Sequence, residues 1–122
     1  MINNNKFAIY ILVFFNIICL VSGQILWKIG IGKLPKKNII SIALSVFSPH
    51  ILIGIVVYSI ATIVWLVVIS KAGDKMSVIY PMQSLAYVLF VLASYWLFNE
   101  KIHPTGWIGI SLIVIGIFLI AI

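Results

Sequence analysis

The chain has 122 residues, 64% of them hydrophobic and only 8% charged, with a formal net charge of +6. So few polar residues cannot cover the surface of a water-soluble domain, and the chain is expected to need lipid as its solvent. The length fits a single domain over residues 1–122. The positive charge comes from eight lysines set against Asp74 and Glu100. These lysines lie between apolar runs, where they anchor helix ends at the lipid headgroups, so no nucleic-acid partner is expected.

Four runs are each long enough to span a bilayer: residues 7–27, 51–69, 77–98 and 105–121. The expected architecture is an all-α membrane protein with four transmembrane helices. Lys6 before the first run and Val21-Ser22-Gly23 within it imitate a secretory leader. The run is long for a signal core and carries polar residues along one side, so it reads as a membrane helix. Lys33-Leu34-Pro35-Lys36-Lys37 ends it with charge and a helix breaker. Residues 38–47 are apolar but short, and Ser48-Pro49-His50 follows. They either extend the second helix through a kink at Pro49 or, as their length favours, lie in the membrane interface. Lys71-Ala72-Gly73-Asp74-Lys75 separates the second and third helices, and Asn99-Glu100-Lys101-Ile102-His103-Pro104 the third and fourth. Lys28, Lys33, Lys36, Lys37 and Lys101 fall on one side of this topology, and Lys6, Lys71 and Lys75 on the other. The bias would put the first and third loops in the cytoplasm, and it is also compatible with insertion both ways round.

Polar groups are expensive in lipid, so their placement carries information. In the third helix Ser77, Tyr80, Ser84, Tyr87 and Ser94 follow helical spacing. Gly54, Tyr58, Thr62 and Trp65 do so in the second, and Asn16, Leu20, Gln24 and Lys28 in the first. Any one hydroxyl is better read as helix–helix glue. Three aligned stripes ending in a lysine instead suggest a shared polar path. Gly106, Gly109 and Gly116 line one face of the fourth helix and suit close approach of another helix, either within the chain or from a second chain. Pro81 leaves a carbonyl unpaired and is a candidate hinge. Glu100 is either a rim charge paired with Lys101 or a functional acid. Cys19 reads as a packing residue. No residue set supports a metal site, a cofactor or bond-making chemistry, so neither an enzyme nor a bound cofactor is expected.

Several short motifs resemble the small multidrug resistance proteins of the drug/metabolite transporter superfamily. They are closer still to the flippase subunits for aminoarabinose linked to undecaprenyl phosphate. Ser22-Gly23-Gln24 with Lys28 four residues on is similar to their Ala-Gly-Gln and following lysine. Trp65-Leu66-Val67-Val68 is similar to their Trp-Leu-Leu-Val. Tyr80-Pro81-Met82-Gln83-Ser84-Leu85 matches their Tyr-Pro-Met-x-Ser-Leu, Asn99-Glu100 stands where they carry His-Glu, and Trp107-x-Gly109 opens the last helix. The resemblance implies a small multidrug resistance-like bundle in the inner, cytoplasmic membrane. Such a bundle would move a polyprenyl-phosphate-linked sugar between leaflets, as a homodimer or a heterodimer with a sister subunit. Lys28, with Lys101, would then hold the phosphate, Gln24, Tyr80, Ser84 and Tyr87 would bond sugar hydroxyls, and Trp27 or Trp65 would stack on the ring. The drug exporters carry an essential glutamate where this chain has Leu20, which weakens export of amphipathic cations as the alternative. A third possibility is an accessory membrane subunit.

Overall fold

The computed structural model describes residues 2–122, with side chains from Phe7 onward. The side chain of Lys6, used in the loop-charge comparison, therefore lies outside the described residues. Six helices follow in order: α1 (Ile2–Gly32), α2 (Ile39–Leu44), α3 (Pro49–Ala72), α4 (Met76–Met82), α5 (Leu85–Leu97) and α6 (Pro104–Ala121). Short 3-10 turns occupy Ser45–Phe47 and Gly73–Lys75, and no strand occurs among the described residues. Three stretches are long and apolar enough to cross a membrane: Phe7–Gly32, Pro49–Leu97 and Pro104–Ala121. The chain is a helical membrane bundle. The second stretch has 49 residues, which as one continuous helix would reach about 74 Å against a hydrocarbon core of about 30 Å. It is instead interrupted at Gly73, whose φ of 59° is costly for residues with a Cβ.

The helix boundaries differ from the expected ones for local reasons. α1 continues past residue 27 to Gly32. Its last turn tightens through Lys33 N–H to Gly30 C=O (3.3 Å) and Leu34 N–H to Ile31 C=O (3.1 Å), just before Pro35. Proline, not the first lysine, is the effective stop, because a lysine is a good helix former while a proline excludes helix from the residue before it. Lys28 therefore sits inside α1, one turn from its end. Residues 38–47 do not extend α3. Asn38 caps the separate α2 by accepting from the Ser41 N–H at 2.8 Å, and Ser48 is extended (φ −72°, ψ 149°) before Pro49 opens α3. Proline suits that position, since its missing N–H would have been an orphan there anyway.

The third hydrophobic run is two helices, not one. Pro81 cannot donate to the carbonyl one turn back. The chain responds with i→i−3 bonds, Gln83 N–H to Tyr80 C=O (3.1 Å) and Ser84 N–H to Pro81 C=O (3.0 Å), before α5 resumes. The Ser84 hydroxyl also donates to the Pro81 carbonyl at 2.6 Å, a second bond to a group that already accepts from the Ser84 N–H.

α1 packs on α3 and α5, while α6 lies against α4 and α5. The core gathers at one end of the bundle from Ile9, Val13 and Ile17 of α1, Val68 and Ala72 of α3, Ile79 of α4 and Ala86 of α5. Lipid is as apolar as these side chains, so close packing and hydrogen bonds, not water exclusion, hold the helices together. The α1–α3 seam shows both. A Cβ on Gly54 would lie 2.6 Å from the Trp27 indole nitrogen and 3.0 Å from the Gly23 carbonyl oxygen, so only glycine fits there. Fully buried Asn16 donates from Nδ2 to the Ala61 carbonyl of α3 (2.5 Å) and accepts from Gln83 Nε2 at 2.9 Å. That amide pair ties α1 to α3 and to the break between α4 and α5. In contrast, α6 has no buried residue.

Candidate functional site at the Lys28 end of the bundle

α1 carries Lys28 nineteen residues beyond the core residue Ile9, about 28 Å along the axis, so the charge sits at the opposite end of the bundle from the core. Two partners meet it there. Its Nζ donates to the Ser94 hydroxyl at 3.2 Å and forms an ion pair with the Glu100 carboxylate, the one ion pair found among the described residues. The ammonium also stands 4.8 Å from the Phe98 ring centroid and 5.7 Å from that of Phe90, within range of attraction to the negative ring faces. Lys28 is 30% exposed and Glu100 51%, so the pair is wet and contributes little to stability. Its interest lies in where it puts a charge.

The turn after α5 positions Glu100. Asn99 adopts φ 53°, a left-handed conformation that asparagine tolerates better than most residues. The chain thereby reverses, and the backbone N–H groups of Phe98 (3.1 Å) and Glu100 (3.4 Å) both reach the Ser94 carbonyl. Ser94 is thus a node. Its hydroxyl binds Lys28 and its carbonyl anchors the turn that brings Glu100 to the same lysine. Ser94 belongs to the polar stripe read from the sequence, yet its pairing with a residue 66 positions away has no local sequence signal.

Lys28 also borders an open hollow of about 450 Å³, whose wall includes Lys33 and Lys37 together with Ile29, Ile31 and Phe98. Lys33 Nζ lies 3.4 Å from His50 Nε2. Three lysine side chains border this apolar hollow at the end of a membrane helix, a setting that suits an anionic head whose hydrocarbon stays in lipid.

The other expected site residues are distributed more widely. Gln24 lies partly buried one turn before Lys28 on α1. Trp27 is committed to the seam: its indole N–H donates to the Ile51 carbonyl at 3.2 Å, and its ring packs on Tyr58 at 4.9 Å. Trp65 meets Tyr80 edge-on at 5.8 Å. Tyr80 and Tyr87 are 63% and 65% exposed, so they face outward and not into a cavity shared with the first helix. Ser84 is occupied by the Pro81 carbonyl. Lys101 is exposed, and Glu100 pairs with Lys28 across the bundle and not with its sequence neighbour. Lys28 and Ser94 thus join the stripes of the first and third runs, and Trp65 and Tyr80 join those of the second and third. A Cβ added at Gly109 or Gly116 would meet nothing within 4 Å, and one at Gly106 only Ile102. The sequence reading missed Gln83, which partners Asn16, and Lys33 and Lys37 as walls of the hollow.

No family model matches the chain, and no solved structure matches it. Curated relatives do. The probable 4-amino-4-deoxy-L-arabinose-phosphoundecaprenol flippase subunit ArnE of Pseudomonas savastanoi pv. phaseolicola is 33% identical over 66 residues, 54% of this chain and 56% of the relative. The protein of the same name from Serratia proteamaculans is 36% identical over 70 residues, 57% of this chain and 59% of the relative. The uncharacterized protein y4nH of Sinorhizobium fredii is 31% identical over 102 residues, 81% of this chain and 82% of that one. The chain thus spans little more than half the length of the flippase subunits it matches, and most of y4nH. Those subunits are named as transporters, not as enzymes.

Proposed function

Because the chain belongs to the ArnE-like family of small multidrug resistance-type membrane proteins, we propose that it moves a polyprenyl-phosphate-linked sugar between the leaflets of the inner membrane. The observation that carries this reading is the hollow at Lys28. An ammonium group, two further lysines and apolar walls meet at one end of a membrane helix. A polyprenyl phosphate has a matching division, with a charged head and a long hydrocarbon tail. The tail stays in lipid while the head engages Lys28, and the protein needs to make or break no bond.

In this reading α3 and the α4–α5 unit cross the bilayer separately, which gives four crossings. The break after Pro81 lets α4 and α5 move as separate pieces, and the exposed α6 meets a second chain, either a copy or a sister subunit. Gln24, one turn from Lys28, is the nearest of the expected sugar-bonding residues. Export of an amphipathic cation fits less well, because Glu100, the acid nearest the hollow, is already neutralised by Lys28.

The test is reconstitution. The full chain in liposomes, alone and with a candidate sister subunit, should move a labelled polyprenyl-phosphate sugar between leaflets and leave the free sugar behind. Failure in both arrangements contradicts the reading.

A further inference from the structure

A lysine ammonium has three N–H donors. At Lys28 the Ser94 hydroxyl and the Glu100 carboxylate take two of them. The same lysine borders the hollow that Lys33 and Lys37 also line, so a phosphate bound there would share Lys28 with Glu100. Two anions on one ammonium repel each other, and the more mobile one should leave. Glu100 is half exposed and lies between α5 and α6, tethered by the left-handed Asn99 and by one backbone bond to Ser94 at 3.4 Å. Swinging out into water costs it little desolvation.

We propose that Glu100 is a built-in stand-in for the phosphate head. In the unloaded protein its carboxylate holds Lys28. A phosphate mono- or diester entering the hollow displaces it and removes the ion pair that holds the segment 98–103 to α1, leaving the Phe98 ring against Lys28. This rests on the phosphate-carrier reading above and adds to it the device that reports loading. The cation that binds the head is also the one that clamps the α5–α6 connection to α1. Occupancy therefore changes how that connection is held, by differential contacts in the two states. Ser94 keeps Lys28 in place during the exchange, because its hydroxyl is bonded independently of Glu100.

The competition has a measurable sign. If the closed pair must open before the head binds, the apparent dissociation constant is raised by the inverse of the open fraction. A wet ion pair of this kind implies about a two- to fivefold effect. The experiment measures binding of undecaprenyl phosphate without sugar to the purified full chain, with undecaprenol and inorganic phosphate as comparison ligands. Glu100→Gln should bind undecaprenyl phosphate about two- to fivefold more tightly than the unsubstituted chain. Within a Lys28→Gln background the same substitution should change nothing. Hydrogen exchange on the unsubstituted protein gives a readout that does not depend on how the variants fold. Undecaprenyl phosphate should speed exchange at residues 98–103, and undecaprenol should not.

Equal or weaker binding by Glu100→Gln, or unchanged exchange at 98–103 in a chain that does bind the phosphate, overturns the displacement and leaves the carrier reading intact. If the unsubstituted chain distinguishes neither undecaprenyl phosphate nor inorganic phosphate from undecaprenol, the two ideas fall together. If inorganic phosphate reproduces the whole effect, displacement stands and the hollow is a site for free phosphate, which removes the carrier reading instead.

Discussion

The seam between α1 and α3 and the outer face of α6 use the same residue type for opposite ends. At the seam, Gly23 and Gly54 bring two backbones so close that a Cβ on Gly54 would strike the Trp27 ring. On α6, Gly109 and Gly116 face open space, and no residue of the helix is fully buried within the chain. A small residue in a membrane helix marks close approach only when something is there to approach. The seam therefore carries the fold of the single chain, while α6 is available to a second one. The Lys28 site lies near the end of the seam. Its lysine stands on a helix fixed by that packing, and its acid stands on a connection held by one turn.

The largest expected effect is at the seam. Gly54→Val should destabilise the chain by about 3 kcal/mol, the upper end for overpacking a filled interface, because Trp27 is pinned by its hydrogen bond to Ile51 and by Tyr58. Thermal unfolding in mild detergent would show it, and unchanged unfolding would mean that the seam yields more easily than its geometry implies. A smaller loss is expected at Asn16. Asn16→Leu removes its bonds to Ala61 and Gln83 at a cost of about 0.6–2 kcal/mol, the range for polar contacts between membrane helices. A double-mutant cycle with Gln83→Leu should then give a coupling of about 0.6 kcal/mol; independent effects would break the link between α1 and the α4–α5 break. The smallest effect on the single chain is expected on α6. Gly109→Leu and Gly116→Leu should shift unfolding by no more than about 0.5 kcal/mol, yet weaken cross-linking between chains in the membrane. Oligomers unchanged in both variants would remove α6 as the contact face.

Much of this contrast could be read from the sequence, and the part that could not has a physical reason. Apolar runs and breakers gave the helical membrane bundle, and Pro81 marked the place where the third run divides. Helical spacing identified a face on each helix, including Asn16, Ser94 and Lys28. Spacing along one helix, however, says nothing about what lies opposite. For that reason Tyr80 and Tyr87 looked like cavity residues but face outward. Gln83 also escaped notice, because its amide matters only through an asparagine 67 residues earlier. Glu100 had an obvious neighbour in Lys101. Its actual partner depends on the left-handed turn at Asn99, which a short loop sequence permits but does not dictate. Nor does spacing say which glycines meet a partner within the chain. Regular spacing drew attention to α6, while Gly23 and Gly54, one on each of two helices, make the tight contact.

The central claim is that Lys28 is present for its charge toward a phosphate head and not merely to anchor α1 at the headgroups. It is tested most directly by leaflet-to-leaflet transport of a labelled polyprenyl-phosphate sugar by Lys28→Gln and Lys28→Arg at matched membrane levels. A phosphate-binding lysine predicts that glutamine lowers affinity about ten- to a hundredfold through loss of a charge-assisted hydrogen bond. Arginine, with the charge kept and the geometry changed, should retain part of the activity. Full transport by Lys28→Gln would contradict the account, since the wet headgroup zone tolerates glutamine as an anchor but a phosphate site does not.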